Sequence, residues 1–119
     1  MPHPGGKGGE EAACRFLRRK GYRILERNYR GPRYEVDIVA LEGEILAFVE
    51  VKTRREGRAE EGAESVDSRK QARIVRAASH YLLTHPDERE RTCRFDVALV
   101  EAPEGGRPKV KRLLRDAFR

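Results

Sequence analysis

Residues 35–53 read EVDIVALEGEILAFVEVKT, and their pattern decides the fold. Ile38-Val39-Ala40-Leu41 and Leu46-Ala47-Phe48-Val49 are apolar on successive rather than alternate residues, as strands covered on both faces are. Glu42-Gly43-Glu44 between them is a tight-hairpin signal, because glycine takes a positive φ without a Cβ clash. The spacing predicts two central antiparallel strands over residues 34–41 and 45–53. Glu50 and Lys52 interrupt the apolar run two residues apart, so the period of a strand puts them on one face. A turn at 42–43 places Asp37 opposite Phe48, and a turn at 43–44 places it opposite Glu50. In either register Asp37, Glu50 and Lys52 share a face.

Outward from this hairpin, Ala13, Phe16 and Leu17 recur at helical spacing over about 10–20, with Gly21 as the stop. Residues 1–9, rich in Gly and Pro, read as a flexible lead-in. A strand is expected over 22–29, with Gly31-Pro32 turning the chain after it. Residues 54–65 read as a polar loop. Asp67 or Ser68 is the expected N-cap of a helix running to about Thr84, its stripe made by Ile74, Val75, Ala77, Ala78, Tyr81 and Leu82, with Pro86 beyond its end. A strand over 94–100, a Gly/Pro turn over 102–108 and an edge strand over 109–114 complete the order. The expectation is one α/β domain over residues 10–119, a mixed five-stranded sheet flanked by helices.

Composition narrows the function classes. The chain has 119 residues and a net charge of +6, with no stretch near the ~20 apolar residues of a membrane span. The opening residues lack the apolar core of a secretory signal, so the expected compartment is the cytoplasm, with no membrane partner. Cys14 and Cys93 have no CxxC spacing, and His3, His80 and His85 form no zinc pattern with them. Divided along the chain, the charge is +6 over residues 1–34, −5 over 35–50 and +5 over 51–119. A phosphate-binding surface gains nothing from carboxylates at its centre unless they hold a cation.

That condition gives Asp37 and Glu50 a chemical use. Two carboxylates, a strand carbonyl such as that of Val51, and water suit a hard ion such as Mg²⁺ or Mn²⁺ that also accepts a phosphate oxygen. Lys52 beside them would offset charge in the transition state of phosphodiester hydrolysis. An E-x-K on a strand also serves as an ordinary cross-strand ion pair. Against that reading stands the cost of an isolated charge inside a run apolar on both faces, which is several kcal/mol. The arginines of residues 54–58 and Arg69, Arg73 and Arg76 are candidate phosphate contacts, or an ordinary solvated face. Asp96, in an alternating strand, is expected to be a structural hydrogen-bonding partner.

Glu10, Ala13, Leu17, Gly21-Tyr22-Arg23-Ile24-Leu25, Asn28-Tyr29-Arg30, Glu35-Val36-Asp37, Phe48-Val49-Glu50-Val51-Lys52-Thr53-Arg54, Lys70-Gln71 and Arg94-Phe95-Asp96-Val97 together resemble the YraN family of bacterial proteins. The resemblance covers about residues 9–100. That family is similar to the restriction-endonuclease-like, PD-(D/E)xK superfamily, with a spacing like that of archaeal Holliday-junction resolvases. The resemblance implies Asp37, Glu50 and Lys52 as a D…ExK core, Glu10 as a helical acid and Gln71 as a polar residue facing the site. It implies a Mg²⁺-dependent nuclease acting on structured or branched nucleic acid, DNA in preference to RNA, with a homodimer where two strands are cut. The alternative is a non-catalytic nucleic-acid-binding module that keeps the fold. Tyr34 stands where the family pattern has glycine, and Val36 where the superfamily has proline.

Overall fold

The computed structural model describes residues 6–119. Helix α1 (Gly6–Arg19) is followed by strands β1 (Arg23–Arg30), β2 (Glu35–Glu42) and β3 (Ile45–Arg55), a single helical turn α2 (Glu61–Glu64) and helix α3 (Ser68–Thr84). A short 3₁₀ turn, Pro86–Glu88, leads into β4 (Thr92–Ala102) and β5 (Lys109–Phe118). The five strands form one sheet in the order β1-β2-β3-β4-β5. All neighbours are antiparallel except β3 and β4, which are parallel. Parallel neighbours need a crossover, and α2 with α3 provides it. This is the mixed five-stranded sheet with flanking helices that the apolar runs predict, an arrangement consistent with a restriction-endonuclease-like fold.

The sheet is covered on both sides. Ile74, Ala77, Ala78 and Tyr81 of α3 pack on Val39, Leu41, Leu46, Phe48 and Leu99. Ala13, Cys14 and Leu17 of α1 pack on Ile38, Ala40, Ala47, Val49 and Ala98. Successive residues of β2 and β3 thus enter opposite cores, which is why both strands read as continuous apolar runs. The hairpin takes the second of the two expected registers, with Glu42 paired to Ile45 around Gly43 and Glu44, and Gly43 at φ 60°.

Several boundaries differ from the pattern-based ones. The flexible lead-in expected over residues 1–9 is helical from Gly6, and the remainder of it lies outside the described residues. The cause is tertiary: Gly9 is buried, and a Cβ there would collide with Thr53 Oγ1, so the glycine lets α1 close on β3. The loop expected over 54–65 is partly ordered, because parallel pairing with β4 extends β3 to Arg55 and Gly62 opens a close seat for α2 against Lys52. Asp67 caps α3 as expected, accepting from the Lys70 N–H at 3.0 Å. Strand β5 runs beyond Leu114 because buried Asp96 accepts the Asp116 N–H at 3.0 Å and Phe118 stacks on Phe95. Asp96 also binds the Arg94 guanidinium and the Tyr22 hydroxyl, the structural role its strand position suggested.

The β1–β2 loop is fixed against α3 at Gly31, where a Cβ would lie 2.9 Å from Ala77 Cα. Backbone cannot yield as a side-chain tip can. Gly31→Ala is expected to cost about 1–3 kcal/mol of stability, as overpacking does. Urea unfolding should show a lower midpoint with an unchanged slope, and an unchanged midpoint would contradict this packing.

Candidate active site

The candidate site begins where the β2–β3 ladder stops. Its last pair is Ile38 with Val49. Beyond it, the Val51 N–H donates not to a backbone carbonyl of β2 but to Asp37 Oδ2, at 2.7 Å. The alternation of β2 changes at the same place. Val36 and Ile38 are two residues apart and would share a face of a regular strand, yet they enter opposite cores. On β1, Asn28 sits at φ 55° between Arg27, which reaches the acids of α1, and Tyr29, which packs in the α3 core. Asp37 therefore stands at a switch in the sheet, and its carboxylate turns toward β3.

Glu50 continues the face of Leu46 and Phe48, and only 3% of it is exposed. Its Oε2 accepts the Tyr34 hydroxyl at 2.5 Å and lies 3.6 Å from Lys52 Nζ. Its Oε1 is buried with no hydrogen-bond partner among the described residues. An unsatisfied buried acceptor costs about 1–3 kcal/mol, more when charged. Burial, and then the neighbouring Glu50 carboxylate, push the Asp37 acid up from its ordinary 3.8 to about 9. Tyr34 is raised too, chiefly by burial and then by its bond to Glu50.

The acidic centre seen in the sequence resolves into two kinds of carboxylate. Glu42 is held by Arg94 at 2.7 Å and Arg115 at 2.9 Å, Glu44 by Arg91 at 3.1 Å, and Glu35 lies 3.5 Å from Arg30. Asp37 has no ion pair among the described residues, and Glu50 has only Lys52. Two adjoining carboxylates with one orphaned oxygen are a fit for a hard cation. Among the described residues no group of three or more His, Cys, Asp or Glu could hold a metal. The donor set is thus a carboxylate pair, of the size Mg²⁺ uses when it keeps most of its water.

The other expected site residues are placed differently. Glu10 is inside α1 rather than at its start, since the helix begins at Gly6. Its Oε1 lies 4.0 Å from Arg27 and 3.0 Å from the Asn28 amide nitrogen, which also donates to Glu35. Burial raises its pKa most, and Glu50 acts on it electrostatically. Glu10 therefore borders the pair through its field, while its hydrogen bonds go to β1. Gln71 donates to the Val66 carbonyl at 2.9 Å and so braces the turn into α3, with no contact to the carboxylates. Val51 contributes its N–H, a role that the expectation of a carbonyl ligand did not include. Tyr34 is the residue whose part in the site the residue pattern left unread. Its signal was an aromatic three positions before Asp37, in place of the family's glycine.

A family model, that of the uncharacterised protein family UPF0102, matches residues 9–100. The chain belongs to that family. A UPF0102 protein of Chlorobium phaeobacteroides is 48% identical over 102 residues, covering 86% of this chain and 80% of its own length. One from Symbiobacterium thermophilum is 46% identical over 113 residues, covering 95% of this chain and 94% of its own. The UPF0102 match bears out the YraN resemblance and spans every residue of the candidate site.

The raised Asp37 acid makes metal-free stability depend on pH. Because its folded pKa lies above its unfolded one, its stabilising contribution is full below about pH 4 and is lost as pH rises toward 9. Asp37→Asn keeps an acceptor for the Val51 N–H and removes the titration. In chelator the variant should melt above the wild type at about pH 8, with the gap closing toward about pH 4. Parallel melting profiles would contradict the burial of that acid.

Proposed function

We propose that this UPF0102 protein is a divalent-metal-dependent nuclease of the restriction-endonuclease-like superfamily, hydrolysing phosphodiester bonds of structured or branched nucleic acid, DNA in preference to RNA. The observation that carries the reading is the Asp37–Glu50 pair, Asp37 half-buried and Glu50 buried, with Glu50 Oε1 unpartnered among the described residues and Lys52 Nζ 3.6 Å from the other oxygen.

Asp37 and Glu50 would hold Mg²⁺ or Mn²⁺, which supplies Lewis-acid polarisation of a phosphoryl oxygen. The chain's own groups do the rest. Lys52, largely buried on β3, is a fixed cation that offsets negative charge as it builds on the phosphate. The Val51 N–H fixes the Asp37 carboxylate and the Tyr34 hydroxyl that of Glu50, so their geometry is set before substrate arrives. At the end of β3 a concavity of about 910 Å³ is bordered by Thr53, Arg54, Arg55, Arg58 and Glu61, and because Arg58 pairs with Glu61 at 3.3 Å, Arg54 and Arg55 are the cations it offers a phosphate chain. The preference for branched substrates draws on the likeness to Holliday-junction resolvases, and cutting both strands of a duplex would take two copies.

One observation favours the non-catalytic module. The Tyr34 hydroxyl already occupies Glu50 Oε2, the oxygen shared with Lys52. Cleavage decides between the two. With Mg²⁺ or Mn²⁺, duplex, single-stranded and four-way-junction DNA should include a substrate that is cut. Lys52→Ala and Asp37→Asn should each slow that cutting by about 10²-fold or more, as loss of one electrostatic group in an active site does. Cutting at the wild-type rate by either variant, or no cutting of any substrate by the wild type, would overturn the nuclease reading.

A further inference from the structure

A second cluster of charge lies on the other side of Tyr34. Arg69, Arg73 and Arg76 are spaced along one exposed face of α3. Arg33, from the β1–β2 loop, meets them around a concavity of about 700 Å³ that Tyr34 also lines. The two sides are held together without help from charge. The Gly31 N–H donates to the Tyr34 carbonyl at 2.8 Å, and the bare Gly31 backbone sits against Ala77 of α3.

Among the described residues, none of these four guanidiniums is in an ion pair with a carboxylate. Elsewhere on the chain Arg27, Arg91, Arg94, Arg112 and Arg115 each are. Asp67, the N-cap of α3, feels Arg69 electrostatically, but its own oxygens are engaged by backbone N–H groups at the start of α3. Four like charges converging on one hollow repel each other until an anion enters. Guanidinium forks match phosphate oxygens in pairs.

We propose that this hollow is a phosphate-binding subsite that holds the nucleic-acid backbone next to the carboxylate pair, with Tyr34 as their shared wall. The assignment rests on the reading that the substrate is nucleic acid. It goes further in dividing the work: the arginines take phosphate with no metal present, while the carboxylates accept it only through a cation. Tyr34 both lines the hollow and bonds Glu50 Oε2 through its hydroxyl, so phosphates of one strand would occupy the two places.

The test is binding of a fluorescent four-way DNA junction in chelator, across a salt series. The wild type should bind with a steep salt dependence. Arg69→Ala/Arg73→Ala should flatten the slope of log K against log[salt] by about 2, and Arg33→Ala by about 1, whatever the DNA sequence. Arg15→Ala/Arg18→Ala removes the same charge from the exposed side of α1, on the opposite face of the sheet, and should leave the slope unchanged. Circular dichroism and an unchanged Mn²⁺ titration establish that the arginine variants keep fold and carboxylate pair. An unchanged slope in the α3 variant, an equal loss in the α1 control, or no junction binding by the wild type would each overturn the subsite. If the slopes behave as expected and no substrate is ever cut, the subsite stands and the nuclease reading fails. If the wild type cuts and the slopes do not change, the reverse holds.

Discussion

Two carboxylates meet where strands β2 and β3 part, and the rest of the molecule is arranged around that meeting. Asp37 takes the Val51 N–H that a continued ladder would have used, and Glu50 is buried beside it with one oxygen unbonded among the described residues. Both strands are otherwise sealed between the α1 and α3 cores. Valine or leucine at these two positions would extend those cores at no electrostatic cost. Burying unpaired carboxylates instead costs several kcal/mol. The bare protein relieves part of this by giving Glu50 the Tyr34 hydroxyl and the Lys52 ammonium, and burial with the neighbouring Glu50 charge pushes the Asp37 acid up. A divalent cation would relieve the remainder, and this is the physical argument for a metal site.

The arginines follow the same logic from the opposite side. Those at the turn end of the β2–β3 hairpin are spent inside the fold: Arg94 and Arg115 clamp Glu42, and Arg94 also holds buried Asp96 beside the Tyr22 hydroxyl. Arg33, Arg69, Arg73 and Arg76 line a hollow instead, and among the described residues none of them is in an ion pair with a carboxylate. Tyr34 joins the two regions, lining the basic hollow and placing its hydroxyl on Glu50. A net charge of +6 says only that the chain favours anions. The structure places part of that charge in ion pairs and part around one basic hollow beside the Asp37–Glu50 pair.

The fold was legible because the central strands are apolar on successive residues, which only a sheet covered on both faces explains. Helix α3 was legible through its stripe and its Asp67 cap. The limits of α1, β3 and β5 were not, because they depend on contacts distant in sequence: Gly9 against Thr53, β3 pairing with β4, and Asp96 binding the Asp116 N–H. In the site, strand period and hairpin register brought Asp37, Glu50 and Lys52 together on paper. The register was one of the two expected, yet the alternation fails at Asp37, because the chain reverses its facing there. Glu10 and Gln71 came from family likeness alone, and their hydrogen bonds go to Asn28 and to the Val66 carbonyl. No periodicity could have revealed the Tyr34 contact, which is made across the opening of the hairpin.

The central claim is that the Asp37–Glu50 pair is a cation site, and Mn²⁺ binding followed by electron paramagnetic resonance tests it without any substrate. The account predicts one bound ion per wild-type chain at neutral pH, lost in both Asp37→Asn and Glu50→Gln and kept in Gln71→Ala. A wild-type chain that binds no Mn²⁺, or carboxylate variants that bind it as the wild type does, would contradict it.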